Sequence, residues 1–218
     1  MMLFKQGVML PRSGHSIRSK TSLSRLFEFE RQWQFEMSSS LEKRLRRIKL
    51  LISDVDGVLT DGSIYKGNDG VEYKQFSILD GAAVAFARAA GLKLAVISGR
   101  YSPATTSRME ELGIDDCYQG DLDKMKPYGQ IIEKYGFQHE EVSFIGDDLI
   151  DVSVMEKVGM AIAVKNAHTF VKEIAHFTTE TAGGEGALRE AVELILKGQG
   201  VYDDAISRIK QRYSGSNE

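Results

Sequence analysis

The sequence has little of several features that mark common protein classes. It contains one cysteine, Cys117, so no intramolecular disulfide can form, and this fits a reducing compartment such as the cytoplasm. No apolar run approaches the roughly 20 residues that span a membrane. The formal net charge is only −3, without the basic excess of a nucleic-acid-binding surface. We therefore expect a soluble, cytoplasmic protein with no nucleic-acid partner and no membrane partner.

The first 27 residues contain no acidic side chain at all. Their basic residues and recurring serines resemble an organelle transit peptide. Alternatively, the start codon is assigned too early, because Met37-Ser38-Ser39-Ser40 could begin an ordinary N-terminus with a helix-capping serine. We favour the second interpretation and predict that residues 1–46 are a poorly ordered extension outside the folded domain.

From residue 47 onward, short apolar segments alternate with helical patterns. Strands are predicted over 48–53, 92–97, 117–118, 142–145, 160–164 and 175–179. Helices are predicted over 82–90, 103–112, 126–135, 150–158, 188–196 and 203–213. This alternation predicts an α/β fold, a doubly wound parallel sheet covered by helices on both faces. We expect one domain over residues 47–198, followed by a C-terminal helix and tail over 199–218.

An Asn-Asp-Gly turn at residues 68–70 lies between two segments that contain aromatic residues. This pattern predicts a β-hairpin over residues 62–76. Only this hairpin and one helix separate the first predicted strand from the second, and only a helix and a short strand separate residues 100 and 124. There is no room for a large cap domain, so a site at the edge of the sheet should be open.

Two carboxylates directly follow the first predicted strand, in Asp54-Val55-Asp56-Gly57. Residues i and i+2 of an extended chain point the same way, so both acids project beyond the carboxyl end of the strand. Open α/β sheets bind ligands at that edge. A bare pair of acids there is costly unless a cation or proton shares the site, which favours Mg²⁺-dependent phosphoryl transfer. Taken alone, the pair fits an acidic turn equally well.

Polar residues after the other strands decide between these interpretations. Ser98-Gly99-Arg100 follows the second predicted strand, and Lys124 precedes the helix after the third. Asp147 and Asp148 follow the fourth, with Asp151 one helical turn later. Hydroxyl and ammonium groups hold phosphoryl oxygens, and carboxylates are ligands that Mg²⁺ prefers. One carboxylate can also act as a nucleophile through an aspartyl-phosphate.

The order DxDGVLTDG, SGR, K and GDDLID resembles the haloacid dehalogenase superfamily of phosphatases over residues 48–196. Three features are similar to its sugar-acid phosphatases: the hairpin directly after the first motif, Tyr118-Gln119-Gly120 before Lys124, and GDDLID before residues 155–159. The resemblance implies a phosphoric monoester hydrolase of lipopolysaccharide biosynthesis that acts on 3-deoxy-D-manno-octulosonate 8-phosphate. The alternative substrate is a nonulosonate (sialic-acid-like) 9-phosphate.

The resemblance also implies a role for each site residue. The catalytic set would be the nucleophile Asp54, the general acid and base Asp56, and Ser98 and Lys124, which hold the phosphoryl group. Mg²⁺ would bind Asp54, Asp147 and the backbone carbonyl of Asp56. Asp148 and Asp151 would support the metal site. The residues that contact the sugar acid would be Ser77, Asp80, Gly81, Gly99, Arg100, Arg108 and Glu185. On the alternative interpretation, Arg100 caps a helix and Arg108 belongs to a solvated helix face.

Two positions depart from the octulosonate phosphatases, which usually carry an arginine where Ala85 stands and a basic residue where Glu185 stands. Glu185 resembles the nonulosonate group, whereas Arg100 resembles the octulosonate group, so octulosonate remains our first expectation. The relatives are tetramers whose hairpins pack together, and we expect a homotetramer here. Residues 183–190 resemble a family segment that reaches a neighbouring site. Alternatively, they are a glycine-rich loop that opens a helix.

Two other classes of protein remain as alternatives. A phospho-accepting signalling module also uses an acidic pocket, a hydroxyl and a lysine, but its acceptor lies on a middle strand. Here the strong candidate, Asp54, follows the first predicted strand, with Asp56 two residues later. An inactive scaffold is disfavoured because the set of candidate catalytic residues is complete.

Overall fold

The structure is a computed structural model that describes residues 39–214, apart from the side chain of Tyr213. The fold lies within the unit Glu42–Glu218. The predicted extension over residues 1–46 therefore lies mostly outside the described residues. Residues 39–45 form helix α1.

A sheet of six parallel strands forms the centre of the fold. The strands are β1 (Leu50–Ser53), β4 (Lys93–Ser98), β5 (Cys117–Gln119), β6 (Val142–Gly146), β7 (Met160–Ala163) and β8 (Phe177–Thr178). Their order is β5-β4-β1-β6-β7-β8, and every pairing is parallel. Because β4 and β6 flank β1 on opposite sides, the strand order reverses there. A crevice is expected beyond the carboxyl end of a strand at such a point.

Helices connect the strands and cover the sheet. They are α2 (Ile78–Ala90), α3 (Pro103–Leu112), α4 (Met125–Tyr135), α5 (Val152–Met155), α6 (Thr169–Ile174), α7 (Ala187–Gln199) and α8 (Tyr202–Ser214). The residues of β1, β6 and β7 are buried throughout, as expected for strands covered on both faces. Helix α2 packs on α7 and α8. The predicted doubly wound α/β fold is confirmed. None of the helices within residues 39–214 is long and apolar enough to cross a membrane.

Three details differ from the predicted elements. Helix α2 begins four residues earlier than predicted, because the Ser77 hydroxyl caps it by accepting a hydrogen bond from the backbone N–H of Leu79 at 3.2 Å. The predicted helix over 150–158 is instead a 3₁₀ turn, Leu149–Asp151, followed by the single turn of α5. The short helix α6 was not predicted, and it is capped by the ring of His168, which is an uncommon capping residue.

The predicted hairpin is present but has a short ladder. Strand β2 (Tyr65–Lys66) pairs with β3 (Glu72–Tyr73) in antiparallel register, with Tyr65 opposite Tyr73. Its turn contains Gly70 at a φ of 81°, in the left-handed region that glycine adopts without strain. Within the described residues, this hairpin is the only insertion between β1 and α2.

Candidate active site

Three of the polar residues predicted for the site, Asp54, Ser98 and Asp147, lie at the carboxyl ends of three adjacent strands. Asp54 follows β1 directly, and its backbone N–H donates to the carbonyl oxygen of Ile145 on β6 at 3.0 Å. Ser98 is the last residue of β4, and Asp147 comes directly after β6. The parallel register of these strands therefore brings motifs that are far apart in sequence to one edge of the sheet.

Lys124 joins two carboxylates inside this site. Its ammonium donates to Asp54 Oδ1 at 2.7 Å and to Asp151 Oδ1 at 2.5 Å, and all three side chains are almost completely buried. Burial alone would lower the pKa of Lys124, but the two carboxylates outweigh it and raise that pKa. Burial, with a second contribution from Asp151, raises the pKa of Asp54 to about 6 against the opposing effect of Lys124. The lysine thus offsets part of the acidic cluster.

Asp147 lies in the same cluster without a cation of its own. Carboxylate oxygens of Asp54, Asp147 and Asp151 lie within 4.8 Å of one another. Burial, followed by the charges of Asp54 and Asp151, raises the pKa of Asp147 to about 8. Its Oδ1 is buried and has no hydrogen-bond partner among the described residues. Three carboxylates with one ammonium lack positive charge, so the donor set fits a bound Mg²⁺.

Two neighbouring features shape this acidic pocket. A Cβ atom on residue 57 would lie 2.1 Å from Asp147 Oδ2, and the φ of Gly57 is +97°, so only glycine fits there. Asp151 Oδ2 accepts hydrogen bonds from the backbone N–H groups of Asp147 at 2.9 Å and Asp148 at 3.3 Å. Asp148 is exposed and caps the 3₁₀ turn through the N–H of Leu149. Asp151 therefore holds the loop that carries Asp147.

Asp56 has a partner that was not predicted. The ammonium of Lys74 donates to Asp56 Oδ1 at 2.5 Å, and the side chain of Lys74 is completely buried. Asp56 Oδ2 is buried without a hydrogen-bond partner among the described residues. The available signal in the sequence was the pair of opposite charges two residues apart in the hairpin, Glu72 and Lys74, but neither followed a core strand.

The loop after β4 is folded on itself. The Ser98 hydroxyl donates to the carbonyl oxygen of Arg100 at 2.9 Å and accepts from its N–H at 3.2 Å. The guanidinium of Arg100 forms an ion pair with the carboxylate of Glu72 in the hairpin. Arg100 thus does not cap a helix. Gly99 lies beside Leu122 and Ile150, whose side-chain carbons would be 3.0 and 3.3 Å from an added Cβ.

Only some of the residues predicted to bind the sugar lie close to one another. Ser77 caps α2, and a Cβ on Gly81 would lie 2.8 Å from Arg108 Nη2. The side chain of Arg108 is 16% exposed and pairs with Glu111 at 2.8 Å, so it does not belong to a solvated helix face. Glu185 is exposed.

Asp80 is placed differently from its prediction. It is 3% exposed, and its Oδ1 accepts a hydrogen bond from the N–H of Arg189, in the first turn of α7, at 3.0 Å. Burial raises the pKa of Asp80 to about 6. Its carboxylate therefore caps α7 from another helix, which is a structural contact, and the burial does not support a contact with the sugar.

The glycine-rich loop before α7 packs on its own chain. The N–H of Gly184 donates to the carbonyl oxygen of Val58 at 2.9 Å, and a Cβ on Gly183 would lie 1.7 Å from the carbonyl oxygen of Gly57. Gly186 then opens α7. Within the chain, this segment is a glycine-rich loop that opens a helix, as the alternative interpretation expected.

The chain is similar in sequence and fold to known proteins. A family model described as haloacid dehalogenase-like hydrolase matches residues 116–190. The chain is 42% identical over 169 residues to a 3-deoxy-D-manno-octulosonate 8-phosphate phosphatase of Escherichia coli K12. That match covers 78% of this chain and 90% of the relative.

Solved structures give the same result. A haloacid dehalogenase superfamily (subfamily III A) hydrolase of Legionella pneumophila matches with a TM-score of 0.79 and 38% identity, over 82% of this chain and 98% of that one. A 3-deoxy-D-manno-octulosonate 8-phosphate phosphatase of Moraxella catarrhalis, in complex with magnesium, phosphate and KDO, matches with a TM-score of 0.75 and 36% identity, over 78% and 97%. The resemblance noted from the motifs is confirmed, and the chain belongs to the haloacid dehalogenase-like hydrolases.

Proposed function

We propose that this chain is a Mg²⁺-dependent phosphatase that hydrolyses the phosphate monoester of a sugar acid. The first candidate substrate is 3-deoxy-D-manno-octulosonate 8-phosphate. The observation that carries the proposal is the buried cluster of Asp54, Asp147 and Asp151 around Lys124 at the carboxyl edge of the sheet. The choice of substrate is supported by relatives of that name at 42% identity over 90% of their length.

The carboxylates of Asp54 and Asp147 and the backbone carbonyl of Asp56 would hold Mg²⁺. When bound, the ion offsets the repulsion between the Asp54 carboxylate and a phosphate dianion. Lys124 already donates to Asp54 Oδ1, so Oδ2 is the oxygen left for attack on phosphorus. Asp148 would support the metal site from the 3₁₀ turn, and Asp151 by orienting Asp147 and Lys124.

The chemistry would proceed in two steps carried by the chain itself. Asp54 attacks phosphorus in line, the bond from phosphorus to the sugar oxygen breaks, and Asp56 gives its proton to that oxygen. Asp56 then takes a proton from water, whose oxygen attacks the aspartyl-phosphate and releases inorganic phosphate. Lys124 and the Ser98 hydroxyl would hold phosphoryl oxygens during both steps, with Ser98 turning away from the backbone of Arg100.

Recognition of the sugar acid would fall to residues around the mouth of the crevice. Arg100 and Arg108 can pair with the substrate carboxylate. The Ser77 hydroxyl, Gly81, Gly99 and Glu185 would complete the contacts. Asp80 is left out of this set because its carboxylate is buried against α7. The substrate carboxylate would have to replace or share the contact between Arg100 and Glu72.

A nonulosonate 9-phosphate is the second candidate substrate. It is favoured by Glu185, an exposed carboxylate where octulosonate phosphatases usually carry a basic residue. Ala85 does not add to this argument, because it lines a surface groove with Arg88 of α2 and Arg208 of α8. Glu185→Arg is expected to favour octulosonate 8-phosphate over nonulosonate 9-phosphate and to leave p-nitrophenyl phosphate hydrolysis nearly unchanged.

The deciding experiment is a screen of phosphorylated sugar acids ranked by kcat/KM, with Mg²⁺ and after treatment with EDTA. The proposal expects octulosonate 8-phosphate first and loss of turnover without metal. Full activity after EDTA treatment, or no turnover of any phosphate monoester including p-nitrophenyl phosphate, would overturn it. A nonulosonate 9-phosphate in first place would move the assignment to the second candidate.

We also propose a homotetramer in the cytoplasm, with lipopolysaccharide biosynthesis as its setting. The support for assembly is an exposed apolar surface on the hairpin, formed by Ile64, Tyr65, Val71 and Tyr73. Light scattering of the purified protein tests this: a tetramer is expected, and a fully active, selective monomer would contradict it.

A further inference from the structure

The side chain of Lys74 is buried, although the aromatic residues beside it in the hairpin are exposed. Its side chain has no exposed surface, whereas Tyr65 and Tyr73 of the same hairpin are 48% and 59% exposed. An ammonium group is costly to bury unless a carboxylate pairs with it. Its partner is Oδ1 of Asp56, two residues after Asp54, at 2.5 Å. The hairpin therefore contributes a charged group to the interior of the site.

A second ion pair joins the same arm of the hairpin to the crevice. Glu72 lies two residues before Lys74 and pairs with Arg100, in the loop after β4. Lys74 pairs with Asp56, in the loop after β1. The arm of residues 71–76 is thus tied, within a single chain, to the loops that follow two adjacent core strands.

The ion pair with Lys74 gives the two carboxylate oxygens of Asp56 different surroundings. Oδ1 is held by Lys74, and Oδ2 is buried without a hydrogen-bond partner among the described residues. A carboxyl group that must transfer a proton twice needs one oxygen aimed at the reacting atoms and a fixed orientation of the other. The ammonium of Lys74 supplies that fixed orientation.

We propose that Lys74 is a positioning residue: its ammonium holds Asp56 in the orientation needed for both proton transfers and clamps the hairpin over the crevice. This inference rests on the proposed function. It assigns the hairpin a task inside its own subunit, in addition to any contact with a neighbour.

The test compares four proteins: wild type, Lys74→Met, Lys74→Arg and Lys66→Met. Methionine keeps much of the length of the side chain but removes its charge. Lys66 is an exposed lysine of the same hairpin and is the matched control.

With octulosonate 8-phosphate, Lys74→Met should lower kcat on the order of 100-fold, the scale of a general acid–base contribution, and change KM little. Lys74→Arg should recover to within about tenfold of wild type, because arginine can still donate to Asp56. Lys66→Met should match wild type.

The leaving group provides a readout that a loss of folding would not produce. The p-nitrophenolate group leaves without a proton, so the first step needs Asp56 little, whereas activation of water still needs it. Rapid mixing of Lys74→Met with p-nitrophenyl phosphate should therefore give a burst of one equivalent per site, followed by slow turnover. A Lys74→Met enzyme with wild-type kcat on the sugar substrate, or with equal loss in both steps and no burst, would overturn the proposal.

A further comparison separates positioning from simple docking of the hairpin. Glu72→Gln breaks the other ion pair of the same arm and should act mainly on KM for the sugar acid, because it frees Arg100. If Glu72→Gln and Lys74→Met lowered kcat equally and without a burst, docking of the hairpin would explain both losses. The positioning role of Lys74 would then be wrong.

Hydrogen exchange of residues 62–76 measures the clamp without any substrate. Lys74→Met should exchange faster than wild type and Lys66→Met should not; equal rates in all three would overturn the clamp. A wild-type protein without phosphatase activity would overturn the proposed function and, with it, the catalytic part of this inference. An active wild type with an unimpaired Lys74→Met variant would overturn this inference alone.

Discussion

Lys124 Nζ lies 2.7 Å from Asp54 Oδ1, although the two residues are 70 positions apart in the chain. The same ammonium lies 2.5 Å from Asp151 Oδ1, and none of the three groups has appreciable contact with solvent. A buried ion pair is weak evidence for stability, because its desolvation is costly. We therefore interpret this triad as a device that keeps Asp54 ionised and oriented.

The dual role of Asp151 predicts a large loss of stability when it is removed. Asp151→Ala leaves Lys124 with one carboxylate and leaves the N–H groups of Asp147 and Asp148 without their acceptor. We expect the free energy of unfolding to fall by about 3 kcal/mol or more, measured by urea denaturation. Asp148→Ala is the control, because it removes only an exposed cap worth about 1 kcal/mol. Equal effects of the two variants would contradict this account.

The acidic cluster also predicts how Mg²⁺ affinity depends on pH. Burial and the charges of Asp54 and Asp151 raise the pKa of Asp147 to about 8, so without metal it is protonated at neutral pH. Metal binding needs the carboxylate and must release that proton. Affinity measured by calorimetry should therefore rise from pH 6 to pH 8, and Asp147→Ala should weaken binding and flatten the profile. An affinity independent of pH over this range would be inconsistent with the cluster.

Gly183 is expected to tolerate no side chain. A Cβ there would lie 1.7 Å from the carbonyl oxygen of Gly57, so Gly183→Ala must displace the loop that follows Asp54 and Asp56. We expect both lower stability and lower kcat. Gly129→Ala is the matched control: it lies in α4 with no atom within 4 Å of the new Cβ. It should stabilise the protein by about 1 kcal/mol, since alanine favours helix. Circular dichroism melting of both variants checks this.

Asp80 gives a prediction about stability and pH. Its folded-state pKa is raised by burial from 3.8 to about 6, so the folded protein binds this proton more tightly than the unfolded chain does. Its contribution to stability must therefore decline as pH rises from about 4 to 6. Asp80→Asn keeps an oxygen acceptor for the N–H of Arg189 and should remove this part of the pH dependence. Identical slopes of unfolding free energy against pH in both proteins would argue against it.

The parts of the site that follow core strands could be predicted from sequence. Asp54 and Asp147 directly follow apolar strands and Ser98 ends one, and parallel strands bring their carboxyl ends together. Lys74 could not be predicted in this way, because its partner depends on how a two-stranded hairpin docks. The capping of α7 by Asp80 joins residues 109 positions apart and leaves no local pattern. Helix α6 is only six residues long and is capped by His168, so it has neither a long periodic pattern nor a common cap.

The account depends most on the claim that Asp54 is the nucleophile. The direct test is to trap a phosphoenzyme by rapid acid quench of the Asp56→Asn variant reacting with p-nitrophenyl phosphate and Mg²⁺, and to map it by mass spectrometry after borohydride reduction. An acyl phosphate should accumulate, because the leaving group needs no proton but water activation does. The account predicts reduction of residue 54 to homoserine, and no such product in Asp54→Asn. A phosphoryl group on any other residue, or a wild-type-like turnover by Asp54→Asn, would contradict it.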